Sequence, residues 1–488
     1  MGRMTIDELL SQPEDKTLEF KRSLTSPKNF LKTPVAFANT AGGKVLIGVE
    51  DGARKPVGVE HPLDEEERIC NLIADSISPR LVPDVKMATV GGKTLLVVQV
   101  HLSGSRPHFI NSEGADQGVY VRLGSTNRKA DRELIAELRR SAEGVAFDEM
   151  PSMDASVDDL DLSSLEALST APKARRESEL LTLRILRREQ GKLVPTRGGV
   201  LLFSKNRTQH FPDAWVQCGR FVGRDKGRIF DHTELHGPLP ESVDNILLFL
   251  KKHAMRGADL TGVRRRDVWS IPLGILREVV INALVHADYS QRGGPTRVAF
   301  FDDRIEVENP GILLPGMTVQ DMKDGVSKIR NPVIARVFRE LKLIEQWGSG
   351  VRRIFQEAAD LGLKQPEIIE IGMRVRDTVP LMHPISVASY PAVGIVVPTP
   401  EVAPEVRVAE VLSGDMSRRA IQNALGLKDN EHFRKAFLAP ALEHGLIEMT
   451  LPDKPNSRLQ KYRLTPKARR LLGKHGGSAK RGDAKGKS

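Results

Sequence analysis

Cysteine is nearly missing: Cys70 and Cys218 are the only two in 488 residues. Two thiols cannot build a disulfide framework or a cysteine zinc site, so both read as unrelated thiols of a cytoplasmic protein. Long apolar runs are missing as well. The longest candidates, TLLVVQV and NILLFL, fall far short of the roughly 18 residues needed to span a bilayer. The opening segment, MGRMTIDELLSQPEDK, is charged and lacks the apolar core of a secretory signal. A cytoplasmic location and no membrane partner are therefore expected. There is no internal repeat. There is also no P-loop, which needs GxxxxGK[ST]. The one Gly-Lys-Thr, in GGKT at 91–94, has Met87 where the first glycine should stand and precedes a strand pattern. A β-hairpin turn is expected there, and no helicase motor.

What is present is ordinary folded composition, 40% apolar and 28% charged, enough chain for about three or four domains. The net charge of +10 is compatible with nucleic acid. Lys474, Lys480, Arg481, Lys485 and Lys487 against Asp483 supply +4 of it, so charge alone does not separate a nucleic-acid partner from plain solubility. The element pattern predicts a multidomain α/β (α+β) chain. Residues 1–142 read as one α/β domain: a strand at Leu18 and Phe20, a helix opening at Thr33-Pro34, strands in GGKVLIGVED, KTLLVVQV and GVYVRLGS, and the helix DRELIAELRR. Residues 143–177 are acidic and read as a linker. In 178–270 the pattern is a helix (ELLTLRILRRE), strands (GGVLLFS, WVQCGRFVG) and a second helix (ESVDNILLFLKKHA). Residues 271–390 form the next domain, 391–403 a Pro/Val-rich linker, 404–472 a unit of three helical patterns with a polar hairpin, and 473–488 a basic tail.

Within 271–390 the segment REVVINALVHADYS places Glu278, Asn282 and His286 at steps of four, so a helix stacks them on one face. The spacing does not match a zinc motif such as HExxH. Carboxylate and amide oxygens suit Mg²⁺, which takes one or two protein ligands and completes its shell with water and phosphate. A row of polar groups facing solvent is the other reading, and the stripe alone leaves both open. Downstream come ENPG (308–311), GILLPGMTVQDMKDGVSKIRNP, and WGSG (347–350) opening a helix. Glycines let backbone approach a ligand, and a helix N-terminus offers free N–H groups to phosphate.

This series resembles the GHKL ATPases. More closely, residues 190–372 resemble the divergent ATPase domain labelled as the C-terminal part of RecG-related helicases. The resemblance implies that Asn282 coordinates Mg²⁺ on the phosphates of ATP and that Glu278 orients or deprotonates the attacking water. It implies a second phosphate-binding turn at Gly348 and Gly350, and a lid over 312–330 whose Lys328 and Arg330 meet phosphate. Asn309, before the turn glycine Gly311, stands where the family carries its adenine-reading aspartate. It can accept from the adenine amino group, but its own amide N–H₂ could disfavour adenine. His286 receives no role.

The N-terminal domain holds Glu14, Glu19, Lys21 and Asp51 near strand ends. They are open to two readings: a divalent-metal site for phosphodiester cleavage, or a salt-bridged surface. LEFKRS, AFANTAGGKVLIGVEDG and VYVRLGS resemble the Schlafen AlbA-type domain. In animal Schlafens two glutamates five apart and a later aspartate cleave RNA, which implies Glu14, Glu19 and Asp51 with Mg²⁺ or Mn²⁺. Those enzymes use two lobes where this chain has one. Phosphate binding through Lys21, Arg22, Arg122 and Arg128 is the simpler expectation. The last unit fits a winged helix-turn-helix, with Arg434 and Lys435 on the reading helix and Arg458 and Lys461 on the wing; docking to protein is the other reading. A similar segment ends many Fic-family proteins. The expected function is an ATP-binding nucleic-acid regulator or defence protein, working as a homo-oligomer. The alternatives are an ATP-gated nuclease and a nucleotide-sensing transcription factor.

Overall fold

Leu18 and Phe20 anchor a strand, Leu18–Lys21, laid parallel to Gly43–Ile47 in the computed structural model of the chain. The structure describes residues 5–50, 52–166, 173–259, 266–344, 350–387, 404–427, 430–452, 457 and 460–471. They divide into two units, 1–390 and 391–488. The expected linker at 391–403 and the tail at 473–488 lie outside the described residues. Among those described, no helix is long and apolar enough to cross a membrane.

The first sheet runs Leu18–Lys21, Gly43–Ile47, Lys93–Val100, Asp84–Val90. Gly91 and Gly92 turn the last two strands at φ 53 and 74, the hairpin expected of GGKT. The helix expected from Thr33-Pro34 starts earlier, as Pro27–Asn39, because Pro27 fits a first turn. Pro34 inside it removes one hydrogen bond, and the buried Phe30, Leu31, Val35 and Phe37 hold the turn. AFANTAGG and VYVRLGS interlock. Asn39 Nδ2 donates to His108 O (2.9 Å) and Tyr120 O (3.0 Å), and Thr40 Oγ1 accepts from Arg122 N (2.9 Å).

Three expectations change beyond residue 143. The acidic stretch is built into the fold: Asp148 is fully buried, and its Oδ2 accepts from Val333 N (2.7 Å) and Ile334 N (3.0 Å). Those are unpaired amides at the start of helix Pro332–Glu340, so a remote carboxylate caps it. Burial pushes the Asp148 carboxyl up to about 7. Second, ELLTLRILRRE is not one helix. The helix Lys173–Thr182 is followed by a turn at Arg184, whose φ is 59, and Leu186–Glu189 pairs with Lys192–Pro195. Third, GGVLLFS is a helix, Arg197–Phe203, rather than a strand. Thr196 caps it by accepting from Gly199 N at 3.0 Å. Gly199 is required there, because a Cβ would run into the Ile185 carbonyl.

The second sheet has six strands in the order Ile229–Leu235, Val216–Phe221, Thr296–Phe300, Arg304–Pro310, Arg374–Pro380, Glu367–Ile371. Only the Val216–Thr296 pairing is parallel. Helices Leu239–Lys252, Leu273–His286, Pro332–Glu340 and Gly350–Asp360 contribute to one core with the strand residues Val216, Cys218, Val298, Ile305, Val307 and Val379. Mixed α+β architecture in several domains is thus as expected.

The second unit packs Pro404–Val411, Arg418–Ala424 and a third helical stretch against a three-stranded sheet, Met416–Ser417, Lys461–Leu464, Ile447–Met449. The third stretch runs Asn430–Phe433, a π-type turn Arg434–Leu438, and Ala439–Glu443. Pro440 offers no N–H to the preceding turn, which accounts for the widened register before it.

Gly199→Ala should lower stability by about 1–3 kcal/mol through overpacking. Gly104→Ala, where a Cβ meets nothing within 4 Å, should be nearly neutral. Denaturant melts of both variants against wild type test the pair; equal midpoints would refute the close-approach account.

Candidate functional site

Helix Leu273–His286 is apolar on almost every side, with Ile275, Leu276, Val279, Val280, Ile281, Ala283, Leu284 and Val285 buried. It lies between the six-stranded sheet and helices Leu239–Lys252 and Gly350–Asp360, so apolar neighbours surround it. Its polar stripe is the exception. Glu278, Asn282 and His286 all line one cavity of about 360 Å³, within the range of small-molecule sites.

Each wall of the cavity carries an expected residue. Asn309 comes from the strand Arg304–Pro310, Lys328 and Arg330 from the segment 312–330, and Gly350 from the start of its helix. A Cβ on Gly350 would sit 2.7 Å from Glu278 Cδ, so the glycine lets that carboxylate rest on the helix N-terminus, where its charge is favoured. Asn282 is half-buried and has no hydrogen bond among the described residues. Gly311, at φ 100, turns the chain out of the Asn309 strand. Asp51, Gly348 and Arg458 lie outside the described residues, as does the side chain of Lys435.

His286 is held neutral: burial, with the Arg330 charge beside it, pushes its imidazole down to about 4. Asp377 was not anticipated. It is 9% exposed, lines the cavity floor, and burial alone pushes its carboxyl up to about 7. No hydrogen bond or ion pair engages it among the described residues. The signal was available in MRVRDTVP: strand alternation puts Asp377 on the face of Val375 and Val379, an acid in the apolar register.

The segment 312–330 spans from the cavity to the N-terminal domain. Leu313, Leu314, Met317 and Met322 line the cavity, while Leu313 N donates to Glu370 Oε1 (2.8 Å), itself paired with the buried Lys16 (2.7 Å). Gly316 N donates to Thr40 O at 2.6 Å. Lys328 Nζ donates to Pro315 O at 2.9 Å and stays exposed, so it remains beside the cavity mouth with Arg339 and Arg353. Arg330 differs from expectation. Its guanidinium is buried on Glu137 Oε1 (2.6 Å), His286 O (3.0 Å) and Ile312 O, which makes it a structural tie rather than a free phosphate ligand.

The N-terminal candidates separate in the same way. Arg122 is 1% exposed, with its guanidinium on Glu19, Asp15 O (3.1 Å), Asn127 Oδ1 (3.1 Å) and Leu18 O (3.3 Å). It supports the fold from inside and does not present to phosphate. Glu19 pairs with both Arg122 and Lys21, and Glu14 Oε1 accepts from Phe20 N at 2.8 Å. Among the described residues no group of three or more His, Cys, Asp or Glu side chains is placed to hold a metal. Arg22 and Arg128 are exposed on this domain, and Arg434 and Lys461 on the second unit.

Comparison with known proteins follows the same partition. Residues 14–131 match the Schlafen AlbA_2 family, 293–379 the HATPase_c_4 family, described as "Putative ATP-dependent DNA helicase recG C-terminal", and 405–465 the C-terminal domain of Fic-like (filamentation induced by cAMP) proteins. Among solved structures, the DIP2311 protein of Corynebacterium diphtheriae is 21% identical over 96% of this chain and 98% of its own, with a TM-score of 0.40. The N-terminal domain of a RecG-related protein from Nitrosomonas europaea is 31% identical over 26% of this chain and 90% of its own, with a TM-score of 0.22. A Fic family protein from Desulfovibrio desulfuricans is 14% identical over 69% and 77%, with a TM-score of 0.14. The chain thus joins a segment that matches the Schlafen AlbA_2 family to one that matches the HATPase_c_4 family.

A carboxyl whose folded pKa is raised favours the folded state below that pKa, and the advantage is lost as pH climbs from the unfolded value, about 4, through about 7. Asp377→Asn should therefore match wild-type stability near pH 4 and exceed it at pH 8 by on the order of 1–4 kcal/mol. Chemical denaturation at the two pH values measures this; a pH-independent difference would refute the buried, unpaired carboxyl.

Proposed function

We propose that the chain is an ATP-binding and ATP-hydrolysing switch that controls nucleic-acid binding. The observation that carries the reading is the segment 312–330. One side of it forms a wall of the Glu278–Asn282 cavity, and Gly316 on it is hydrogen-bonded to Thr40 of the Schlafen AlbA_2 domain. A ligand that moves this wall must also load or release that contact, which is what coupling between two sites requires.

In this reading the cavity takes the nucleotide base against Leu313, Met317, Ile281 and Val285. Lys328, Arg339 and Arg353 give the mouth cationic groups for phosphates. Asn282, without a partner among the described residues and one turn from Glu278, offers an oxygen donor set that suits a hard cation. Mg²⁺ bound there would supply positive charge to the phosphates. Glu278 holds the attacking water and takes its proton; the N-terminus of Gly350–Asp360 faces the same carboxylate. His286, neutral by burial, lines the wall without donating charge. Nucleic acid is bound by exposed cations, Arg22 and Arg128 on the first unit and Arg434 and Lys461 on a winged-helix second unit. Nuclease action at Glu14, Glu19 and Asp51 draws less support, since Glu19 is paired with Arg122 and Lys21.

Glu278→Ala should reduce ATP turnover by about 100- to 10,000-fold while nucleotide affinity stays within a few-fold. Phosphate-release and equilibrium-binding measurements separate the two quantities, and unchanged turnover would remove Glu278 from the chemistry. For the coupling, Gly316→Val would force a side chain against Leu102 (2.9 Å) and Lys328 (2.8 Å) at a backbone φ of 81. Wild type should show a nucleotide-dependent change in affinity for nucleic acid, read by fluorescence anisotropy at fixed salt. The variant should lose most of that change at saturating nucleotide; an undiminished change would break the proposed link.

A further inference from the structure

Asp377 is out of place by every ordinary rule of strand patterning. The strand Arg374–Pro380 alternates, with Arg374, Arg376 and Thr378 toward one face of the sheet and Val375, Asp377 and Val379 toward the other. Its cross-strand register sets Val375 beside Asn309 and Asp377 beside Val307. Asp377 therefore stands two positions along from Asn309, on the sheet face covered by the Glu278 helix. Val307 is its cross-strand partner, and the apolar Val375, Ile281 and Val285 line the same cavity. Buried carboxyls in proteins find a donor or a cation. Among the described residues this one has neither, and its atoms open into the cavity.

We propose that Asp377 is the base-selecting residue of this cavity, accepting a hydrogen bond from the exocyclic amino group of adenine. The assignment rests on the nucleotide reading above and adds to it which group reads the base. Asn309 reaches the same floor; its Nδ2 donates to Pro310 O at 3.2 Å, which leaves its amide oxygen able to accept from a ligand. A ring seated between Ile281 and Val285 on one side and Leu313 and Met317 on the other meets two oxygen acceptors on the floor, both suited to N–H groups. The polar ends then sort by chemistry: acceptors at the buried end for the base, and Lys328, Arg339 and Arg353 at the mouth for phosphate. The raised carboxyl of Asp377 agrees with a group that folding leaves waiting for a donor.

The test uses full-length protein and three triphosphates carrying adenine, hypoxanthine or guanine, with affinities read by calorimetry. Wild type should prefer ATP over the hypoxanthine nucleotide, which has a carbonyl in place of the amino group, by about 10- to 100-fold. In Asp377→Asn and Asp377→Leu that preference should shrink to within about three-fold, through weaker ATP binding. Thermal melts confirm that both variants fold, and the isosteric Asn change keeps the volume. A wild type that binds ATP while both variants keep the wild-type ratio overturns the role of Asp377 and leaves the cavity a nucleotide site. A wild type that prefers the guanine nucleotide overturns the choice of adenine. A wild type that binds none of the three overturns the nucleotide reading itself.

Discussion

One guanidinium holds the first unit of this protein in register. Arg330 donates to Glu137 of the N-terminal domain, to the carbonyl of His286 at the end of the Glu278 helix, and to Ile312 at the start of the cavity wall. Arginine suits this position because its planar fork offers several donors in fixed directions and keeps its charge when buried. Glu137 also takes Arg140 at 2.7 Å, and Arg140 reaches Ser290 just beyond the helix. A buried ion pair gains little net stability against an apolar alternative, yet removing one partner leaves an uncompensated charge. Its contribution is therefore geometric. It fixes where the cavity wall begins relative to the domain that wall also touches at Thr40.

The six-stranded sheet carries two chemistries on its two faces. Toward the helices it presents Val307, Asn309, Val375 and Asp377. On the other face Arg304, Glu306, Glu308 and Arg376 form a row of charges, with Arg376–Glu308 at 2.6 Å across two strands and Arg304–Glu306 at 2.7 Å along one. Opposite charges facing each other across strands stabilise register, and a slip by one residue would exchange the two faces. The Arg376–Glu308 pair thus helps hold the alignment that brings Asn309 and Asp377 to one cavity floor.

Much of this was legible because the periodicities are strong. The steps of four in Glu278, Asn282 and His286 gave the helix and the shared face, and Gly91-Gly92 gave the hairpin expected in place of a P-loop. Short apolar runs were less informative. GGVLLFS carries no period that separates a buried helix from a buried strand, and the deciding facts, the Thr196 cap and the contact of Gly199 with Ile185, involve chain neighbours that composition does not reveal. Charged residues were the least legible. Arg122 and Arg330 read as surface cations because arginine usually is one. Their burial depends on partners 103 and 193 residues away, Glu19 and Glu137, which no local pattern predicts.

Several groups that depart from local rules line the cavity. The side chains of Asn282 and Asp377 lack partners among the described residues, His286 is half-buried and neutral, and Gly350 opens a helix against a carboxylate. An unpartnered buried carboxyl costs stability where it stands, and a sequence selected for folding alone would replace Asp377 with another valine. Elsewhere in the unit Asp148 places one of its oxygens on helix amides, and Glu137 is paired with arginines. An unpartnered acid in a cavity that also holds Glu278, Asn282 and Asn309 is the departure that fits a group kept for a ligand.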